Sequence, residues 1–361
     1  MKIKQIYFKS IELKLKESYT IAYETLSSCT NVFIMAETDK GIKGWGCGAP
    51  DPWLTGETAE QTLQVLEQFI VPAIKNADPF DFSRIMDELR KYIPDNPSAL
   101  AMTDMLLYDL VSKKAEVPLY KYLGAYRNSM PTSITIGIMP VDETIERAKS
   151  YYDSGFRIFK LKGGRLCEED IEKTARIREV FGDRIQLRFD ANQGYSVEDA
   201  VRFVEKTRQY KVELLEQPTP RNNYEDLGRV SKRTAIPVMA DESIMNLKDV
   251  FSLTKNDLTD MINIKLMKSG GISEALRINA VASAARVEAM VGCMDESEVS
   301  ISAGLHFALS RPNVIYADLD GHLDLMDDPA KGTLILKNGA LFPNDLPGLG
   351  TEASNILAKL F

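Results

Sequence analysis

The sequence predicts an α/β fold in which an N-terminal α+β domain precedes a barrel of parallel strands. The first 125 residues show strand patterns followed by helical patterns, which is typical of an α+β unit. From Met130 onward, eight strand patterns alternate with helical patterns, which favours a β/α barrel. We therefore expect a capping domain over residues 1–125, a barrel over residues 126–322, and a C-terminal segment over residues 323–361 that returns to the capping domain.

Strand patterns open the predicted capping domain. The stretch IKQIYFKSIELKL alternates roughly between apolar and polar residues, and NVFIMAETDKGIKGWG indicates a hairpin that turns at residues 39–41. Three helical patterns follow, namely TAEQTLQVLEQFIVPAIK, DFSRIMDELRKYI and SALAMTDMLLYDLVSKKA. Thr58 and Asp81 stand at the start of the first two helices, and we expect both to act as N-caps.

The predicted barrel joins its strands by amphipathic helices such as VDETIERAKSYYDSG and SVEDAVRFVEKTRQY. An open doubly wound sheet is the alternative, but no G-x-G-x-x-G loop supports it. After the last strand, DDPAKGTLILKNGALFPNDLPGLG favours short strands and turns in place of an eighth helix. The strands are expected to end near Ile138, Lys162, Asp190, Glu216, Asp241, Lys265, Cys293 and Asp318.

Composition excludes several function classes. The formal net charge of −8 argues against nucleic acid or an anionic membrane as the main partner. No apolar run approaches about 18 residues and the N-terminus lacks a signal-peptide pattern, so we expect a cytoplasmic protein. The four cysteines are scattered, which argues against a zinc site or a disulfide framework. With only two histidines, a metal site must use oxygen ligands, which suits Mg²⁺, Ca²⁺ or Mn²⁺.

Five charged residues fall in step with the barrel repeat. Lys162 and Asp190 are 28 residues apart, and the next steps, to Glu216, Asp241 and Lys265, are 26, 25 and 24 residues. One β/α unit takes about 30 residues, so each of the five ends a successive strand and should face the barrel mouth. A lone strand-end aspartate is more often an N-cap and a lone lysine a solvated rim residue, but independent causes do not explain five in step.

The five residues together predict a metal-assisted proton transfer. Three carboxylates forced together repel one another, and a divalent cation such as Mg²⁺ resolves the repulsion. Lys162 ends the second barrel strand and Lys265 ends the sixth, so they lie nearly opposite each other in a ring of eight strands. Opposed bases beside a metal suit the removal of a proton from one face of a carbon and its return to the other.

Six short segments resemble the enolase superfamily: FKLKGG, FDANQGY, LEQP, MADES, INIKLMKSGG and ADLDG. Within that superfamily the chain is similar to the muconate-lactonizing-enzyme subgroup, and most of all to the dipeptide epimerases, over essentially its whole length. The resemblance implies a modified TIM barrel, (β/α)7β, with an N-terminal α+β capping domain and no last helix. It also implies an isomerase that inverts a carbon by two-base 1,1-proton transfer through an ene-diolate.

The resemblance implies roles for single residues. Lys162 and Lys265 are the expected acid/base pair, and Lys160 is expected to bind the substrate carboxylate. As a like charge beside Lys162, Lys160 should also favour the neutral form of that base. The expected ligands of one Mg²⁺ per subunit are Asp190, Glu216 and Asp241.

Substrate recognition is expected on the last strands. Asp318 and Asp320 resemble the D-x-D element with which dipeptide epimerases hold the free α-ammonium of the substrate, and alternation places both on one strand face. The alternative is that one of them merely starts a turn at Gly321. Cys293 and Met294 are expected to contact the dipeptide carboxylate through their backbone. Thr135 is expected to form part of the pocket wall.

The N-terminal loop departs from relatives that act on L-Ala-D/L-Glu, which carry an arginine there. The segment IAYETLSS has Glu24 instead, and an acidic second residue would be repelled. Asp51 in the following loop adds weakly to the same argument, although a loop glutamate can also be solvated and irrelevant. We expect an alanine-containing dipeptide from peptidoglycan turnover, with a small, apolar or cationic second residue.

Other functions on the same scaffold stay open from the sequence. An o-succinylbenzoate synthase or muconate cycloisomerase has no ammonium to hold, so the Asp318 and Asp320 pair argues against this lyase-type alternative. An acid-sugar dehydratase usually employs a histidine base, which the strand ends lack. A non-catalytic binding protein would not need all five central residues. We expect a homo-oligomer whose only partner is a small-molecule dipeptide.

Overall fold

Eight parallel strands and a separate antiparallel sheet organise the chain. The computed structural model describes residues 1–22, 24–354 and 357–361. Its strands are β1 (Ile3–Thr20), β2 (Thr25–Thr38), β3 (Lys43–Gly48), β4 (Met130–Pro131), β5 (Ile134–Ile136), β6 (Ile158–Lys162), β7 (Gln186–Asp190), β8 (Val212–Glu216), β9 (Val238–Ala240), β10 (Met261–Lys265), β11 (Glu288–Gly292), β12 (Val314–Asp318), β13 (Leu334–Lys337) and β14 (Ala340–Pro343).

The helices lie between these strands, and a π-helical turn, Leu66–Ile70, joins the first two. Its α-helices are α1 (Ala59–Val65), α2 (Val71–Ile74), α3 (Phe82–Tyr92), α4 (Pro97–Lys114), α5 (Leu119–Tyr122), α6 (Val141–Asp153), α7 (Cys167–Phe181), α8 (Val197–Thr207), α9 (Tyr224–Arg233), α10 (Leu247–Lys255), α11 (Leu266–Ser269), α12 (Ile272–Ala284) and α13 (Glu298–Ser310). None of the helices in the described part of the chain combines the length and the apolar character that a membrane span requires.

Helix α4 lies between the antiparallel sheet and the barrel. The strand order is β1-β2-β3, with Met35 of β2 opposite both Tyr7 and Trp45. Helix α4 contacts β3 on one side and α11, α12 and α13 on the other, and this burial explains its largely apolar sequence. The approach to the sheet is so close that a Cβ atom at Gly46 would collide with the carbonyl group of Met102. Glycine at position 46 therefore allows the contact.

One of the two predicted N-caps is confirmed and the other is wrong. Thr58 accepts a hydrogen bond from the Gln61 amide at 3.2 Å, and the Gln61 side chain accepts one from the Thr58 amide at 2.8 Å. Asp81 occupies the cap position of α3, but its carboxylate pairs with Arg84 at 2.8 Å and makes no cap bond to any described amide. A 3-10 turn precedes α3, and Asp78 caps that turn instead.

The barrel sheet runs in chain order from β5 to β12. It is closed by the Ser133 amide, which donates to the Ala317 carbonyl at 3.1 Å. The strand register is parallel, with Lys162 opposite Asp190 and Asp190 opposite Glu216. Because parallel neighbours in register lie at one level of a sheet, these side chains meet at the same end of the barrel.

The end of the chain replaces an eighth barrel helix. After β12 the described residues contain no α-helix, and β14 pairs with β13 on one side and with β4 on the other. The segment then reaches α4, where the Leu349 amide donates to Asp109 at 2.7 Å and Lys113 donates to Thr351 Oγ1 at 2.9 Å. The predicted (β/α)7β architecture with a separate N-terminal domain is confirmed, and β5, β9 and β11 end one or two residues earlier than expected.

Candidate active site

Three carboxylates converge at the C-terminal ends of neighbouring strands. Asp190 ends β7, Glu216 ends β8, and Asp241 directly follows β9. All three residues are completely buried, and one oxygen from each lies within 4.8 Å of the others. The strand register places them there, because β7 and β8 pair Asp190 directly with Glu216. The sequence spacing predicted this cluster.

Each carboxylate of this cluster has at least one oxygen held by a protein donor. The Asn192 amide donates to Asp190 Oδ1 at 2.9 Å, Asn263 Nδ2 donates to Glu216 Oε1 at 2.8 Å, and Lys268 donates to Asp241 Oδ1. The remaining oxygens of Glu216 and Asp241, Oε2 and Oδ2, are buried and accept no well-aligned hydrogen bond within the described ranges. Buried oxygens left in this way fit ligands of a divalent cation, since Mg²⁺ prefers oxygen donors.

The electrostatics of the cluster also fit a bound cation. Burial and the neighbouring charge of Asp190 raise the pKa of Glu216 to about 8. Burial opposes the charge of Lys160, yet Asp318, Glu216 and Asp190 outweigh burial and hold the pKa of Lys160 well above its ordinary value. Lys160 Nζ lies 3.0 Å from Asp190 Oδ2 and 2.8 Å from Glu216 Oε2. The acids therefore need positive charge beside them to ionise together, and one lysine lies among them.

Two further lysines flank the cluster from opposite strands. Lys162 Nζ lies 2.8 Å from Asp190 Oδ2, and Lys265 Nζ lies 2.8 Å from Asp241 Oδ2. They end β6 and β10, the second and sixth of the eight barrel strands. Both lysines line the same two neighbouring cavities. A carbon held between them is within reach of an amine on either side.

The first cavity holds the predicted recognition residues of β5 and β12. Asp318 is already engaged, because Ser133 Oγ donates to its Oδ1 at 2.5 Å and Lys160 donates to its Oδ2 at 2.7 Å. Asp320 accepts the Thr135 amide at 2.6 Å through Oδ2, and its Oδ1 lies 4.0 Å from the Cys293 sulfur. Burial and Asp318 raise the pKa of Asp320 to about 7. Asp320 is therefore the less neutralised carboxylate of the pair.

The second cavity, of about 380 Å³, is lined by both acidic loop residues that the sequence singled out. Glu24 and Asp51 lie in its wall together with Lys162 and Lys265. Burial and the neighbouring Asp51 raise the pKa of Glu24. Asp51 also orders its own loop, since its Oδ1 accepts the amides of the second and third residues that follow it, at 2.8 and 2.7 Å. Both acids thus face the space beside the two central lysines.

Several residues of the site were not predicted. Tyr19 from the end of β1 donates to Asp295 Oδ2 at 3.0 Å, and both residues line both cavities. Arg147 of α6 pairs with Glu17 of β1 at the edge of the first cavity. Neither pair follows a spacing rule, because the partners are far apart in sequence and meet only where the capping domain contacts the barrel. The segment INIKLMKSGG does contain Lys268, but its contact with Asp241 depends on the short helix α11 that directly follows β10.

Two family models match the chain. The model described as the mandelate racemase / muconate lactonizing enzyme N-terminal domain matches residues 5–124. The model described as enolase C-terminal domain-like matches residues 143–356. The boundary between the two matches falls near the start of the barrel.

Similar proteins span nearly the full chain. The L-Lys-D/L-Arg epimerase of Desulforapulum autotrophicum is 42% identical, over 98% of this chain and 99% of its own length. The dipeptide epimerase of Enterococcus faecalis, solved with Mg and the dipeptide L-Leu-L-Tyr, has a TM-score of 0.94 and 39% identity, over 97% of this chain and 99% of its own. The substrate-liganded L-Ala-D/L-Glu epimerase of Bacillus subtilis has a TM-score of 0.95 and 33% identity, over 97% and 98%. The chain therefore belongs to the enolase superfamily, in the group of mandelate racemase and muconate lactonizing enzyme.

Proposed function

We propose that the protein is a Mg²⁺-dependent dipeptide epimerase that inverts the Cα of the C-terminal residue. The observation that carries the proposal is the position of Lys162 and Lys265, which flank one acid cluster from opposite strands and line the same cavities. The relatives support it, since two are named L-Lys-D/L-Arg and L-Ala-D/L-Glu epimerase, and the third, named a dipeptide epimerase, was solved with Mg and a dipeptide.

The chemical problem is the weak acidity of a C–H bond next to a carboxylate. One lysine, as the neutral amine, takes the proton from Cα, and the other, as the ammonium, returns a proton to the opposite face. Removing the proton adds a second negative charge to the substrate carboxylate. A Mg²⁺ ion, when bound, supplies positive charge that stabilises this carboxylate. In this proposal the ligands of the ion are Asp190, Glu216 and Asp241.

Lys160 and Asp320 bind the substrate in this proposal. Lys160 keeps its charge among the surrounding acids, so it adds a fixed positive charge beside the developing dianion. Asp320 projects into the first cavity and attracts the α-ammonium of the dipeptide. Asp318 acts through its contact with Lys160 rather than as a second ammonium ligand. Thr135 and Cys293 complete the wall on this side.

The second residue of the substrate is non-acidic in this proposal, because Glu24 and Asp51 line the cavity beside the lysines. Alanine fits there without a charged partner, whereas lysine or arginine gains one. The 42% identical relative is named an L-Lys-D/L-Arg epimerase, which supports the cationic choice. We therefore rank a cationic second residue above alanine, and both above aspartate or glutamate.

A dipeptide library in D₂O with Mg²⁺ tests the reaction. We expect one deuterium to enter the Cα of the C-terminal residue, with both epimers appearing on chiral separation. The variant with both Lys162→Ala and Lys265→Ala should give no exchange. If no dipeptide of the library exchanges with the unmodified protein, the proposal is wrong.

The substrate preference has its own test. Glu24→Gln should lower kcat/KM for dipeptides with a C-terminal lysine or arginine by about fivefold, since one partly exposed charge contact contributes about 1 kcal/mol. The value for a C-terminal alanine should not change. Glu67→Gln, an exposed glutamate of the capping domain, is the control. Equal losses for alanine and arginine dipeptides would contradict a charge contact at Glu24.

A further inference from the structure

The two proposed bases have matching surroundings. Asp190 contacts Lys162 and a second buried lysine, Lys160, both through Oδ2 at 2.8 and 3.0 Å. Asp241 contacts Lys265 through Oδ2 at 2.8 Å and a second buried lysine, Lys268, through Oδ1. Each base thus shares its aspartate with another ammonium group. Lys160 borders the first cavity and has a proposed role, but Lys268 has none so far.

Lys268 is placed to act through Asp241 alone. It lies on the short helix α11, three residues after Lys265, and its side chain is 1% exposed. Its ammonium donates to both Oδ1 and the backbone carbonyl of Asp241 and lies 3.4 Å from the Asn263 carbonyl. Among the described residues that line the two cavities, Lys268 does not occur. It therefore has no contact with the space available to a substrate.

The contacts of Lys268 fix the orientation of one carboxylate. The terminal torsion of an aspartate is broad, so a carboxylate without fixed partners rotates over a wide range. Lys268 binds both the side chain and the backbone of Asp241, and this double contact leaves Oδ2 turned toward Lys265. A buried ammonium is costly, and fold stability alone does not require one at this position, since apolar packing serves as well. The cost is explained if the orientation matters to the reaction.

We propose that Lys268 is a positioning residue for the base on the Lys265 side, holding Asp241 so that Lys265 faces the substrate Cα. The inference rests on the proposed epimerase function. It makes a prediction that a purely structural role does not make. Loss of Lys268 slows proton exchange at one face of the carbon only, because Asp190, Lys160 and Lys162 on the other side keep all their contacts.

The experiment follows Cα exchange in D₂O separately for the L and D epimers of one accepted dipeptide, at saturating Mg²⁺. Lys162→Ala and Lys265→Ala first identify which epimer each base serves. Lys268→Met should then slow exchange from the epimer served by Lys265 by about 10- to 100-fold, the usual effect of removing a partner of a metal ligand. Exchange from the other epimer should stay close to that of the unmodified protein.

A matched control separates positioning from stability. Lys113→Met also removes a buried lysine from an aspartate, in the capping domain, and should change neither exchange rate of the folded protein. If Lys268→Met does not fold, Lys268→Gln, which keeps a shorter donor, is measured in the same way. Equal slowing of both epimers, or no slowing, overturns the proposal. Absence of exchange with every dipeptide would instead overturn the epimerase function itself.

Discussion

Two of the buried lysine–aspartate groups in the described part of the chain differ in how completely their bonds are satisfied. In the capping domain, Lys113 donates to Asp109, the Lys43 carbonyl and Thr351 at 2.8 to 2.9 Å. Asp109 in turn accepts backbone amides on both oxygens, at 2.7 and 2.8 Å. In the barrel, Asp241 lies between two lysines, yet its Oδ2 accepts no well-aligned hydrogen bond from the described residues.

We interpret the Lys113 pair as structural and the barrel group as part of the proposed active site. A buried charge is tolerated when every donor and acceptor has a partner, and the Lys113 group meets that condition. The barrel group leaves one oxygen each of Glu216 and Asp241 without a well-aligned donor and brings three buried carboxylates together. An arrangement that is unfavourable by itself is explained by a ligand that completes it. Four predictions test this contrast.

The largest expected effect is on turnover. Lys162→Ala and Lys265→Ala should each lower epimerisation by about 10²- to 10⁴-fold, the usual contribution of a general acid or base. With saturating Mg²⁺ the melting temperature should change little, because the bound ion supplies the positive charge that Asp190 and Asp241 lose with each lysine. Steady-state kinetics with thermal melting measures both. A variant that loses stability but retains turnover would show that its lysine stabilises the fold and does not act as a base.

Lys113→Met should show the opposite signature. It leaves Asp109 buried without its cation, so we expect the free energy of unfolding to fall by about 3–5 kcal/mol. Denaturant titration measures the loss, and kcat of the folded protein should not change. Lys114→Met, at the exposed neighbouring position, is the control and should have almost no effect on stability. A similar loss of stability in both variants would contradict the assignment of Lys113 and Asp109 as a structural ion pair.

Mg²⁺ should raise the free energy of unfolding by binding at the carboxylates of Asp190, Glu216 and Asp241. At a concentration of one hundred times Kd, Mg²⁺ binding to the folded state alone should add about 2.7 kcal/mol of stability, and a chelator should remove it. Differential scanning calorimetry with and without Mg²⁺ measures the effect. Asp241→Asn should abolish the response, whereas Lys113→Met should retain it. A response that survives Asp241→Asn would place the metal elsewhere.

The smallest expected effect is a pH dependence of kcat/KM that is caused by the titration of Asp320. Burial and Asp318 raise the pKa of this carboxyl to about 7, so it is neutral below that pH in the free protein. Binding of an α-ammonium requires the carboxylate, and kcat/KM should therefore fall about tenfold per pH unit below pH 7 and level off above it. The Asp320→Asn variant should have a low kcat/KM that does not fall further below pH 7. A pH profile that is unchanged by Asp320→Asn would assign the titration to another group.

The sequence could predict the site residues that occur once in each successive β/α unit. Lys162, Asp190, Glu216, Asp241 and Lys265 each follow one strand of a regular barrel, so their spacing alone indicated that they meet. The β/α alternation, the missing last helix and the hairpin near the N-terminus came from similarly local patterns. Regular structure converts sequence distance into spatial position, and those features are predictable for that reason.

Other features depend on tertiary contacts that no local pattern encodes. Tyr19 and Asp295 are 276 residues apart and meet only because the capping domain lies over the barrel mouth. The contact of Lys268 with Asp241 depends on α11, which begins directly after β10 and brings the amine to the residue that follows β9. The N-cap expected at Asp81 was wrong because a preceding 3-10 turn shifts capping to Asp78.

The in-register strands and the acidic loops have different consequences for how such a protein changes over generations. Lys162, Asp190 and Glu216 are held level by main-chain pairing, so a one-residue insertion in any of these strands would turn the reactive groups outward. Glu24 and Asp51 lie on connecting segments outside the regular strands. In the proposed function, replacing them alters the accepted second residue without moving the two lysines. Evolution can therefore change the substrate through loop substitutions while the strand ends keep the proposed proton transfer.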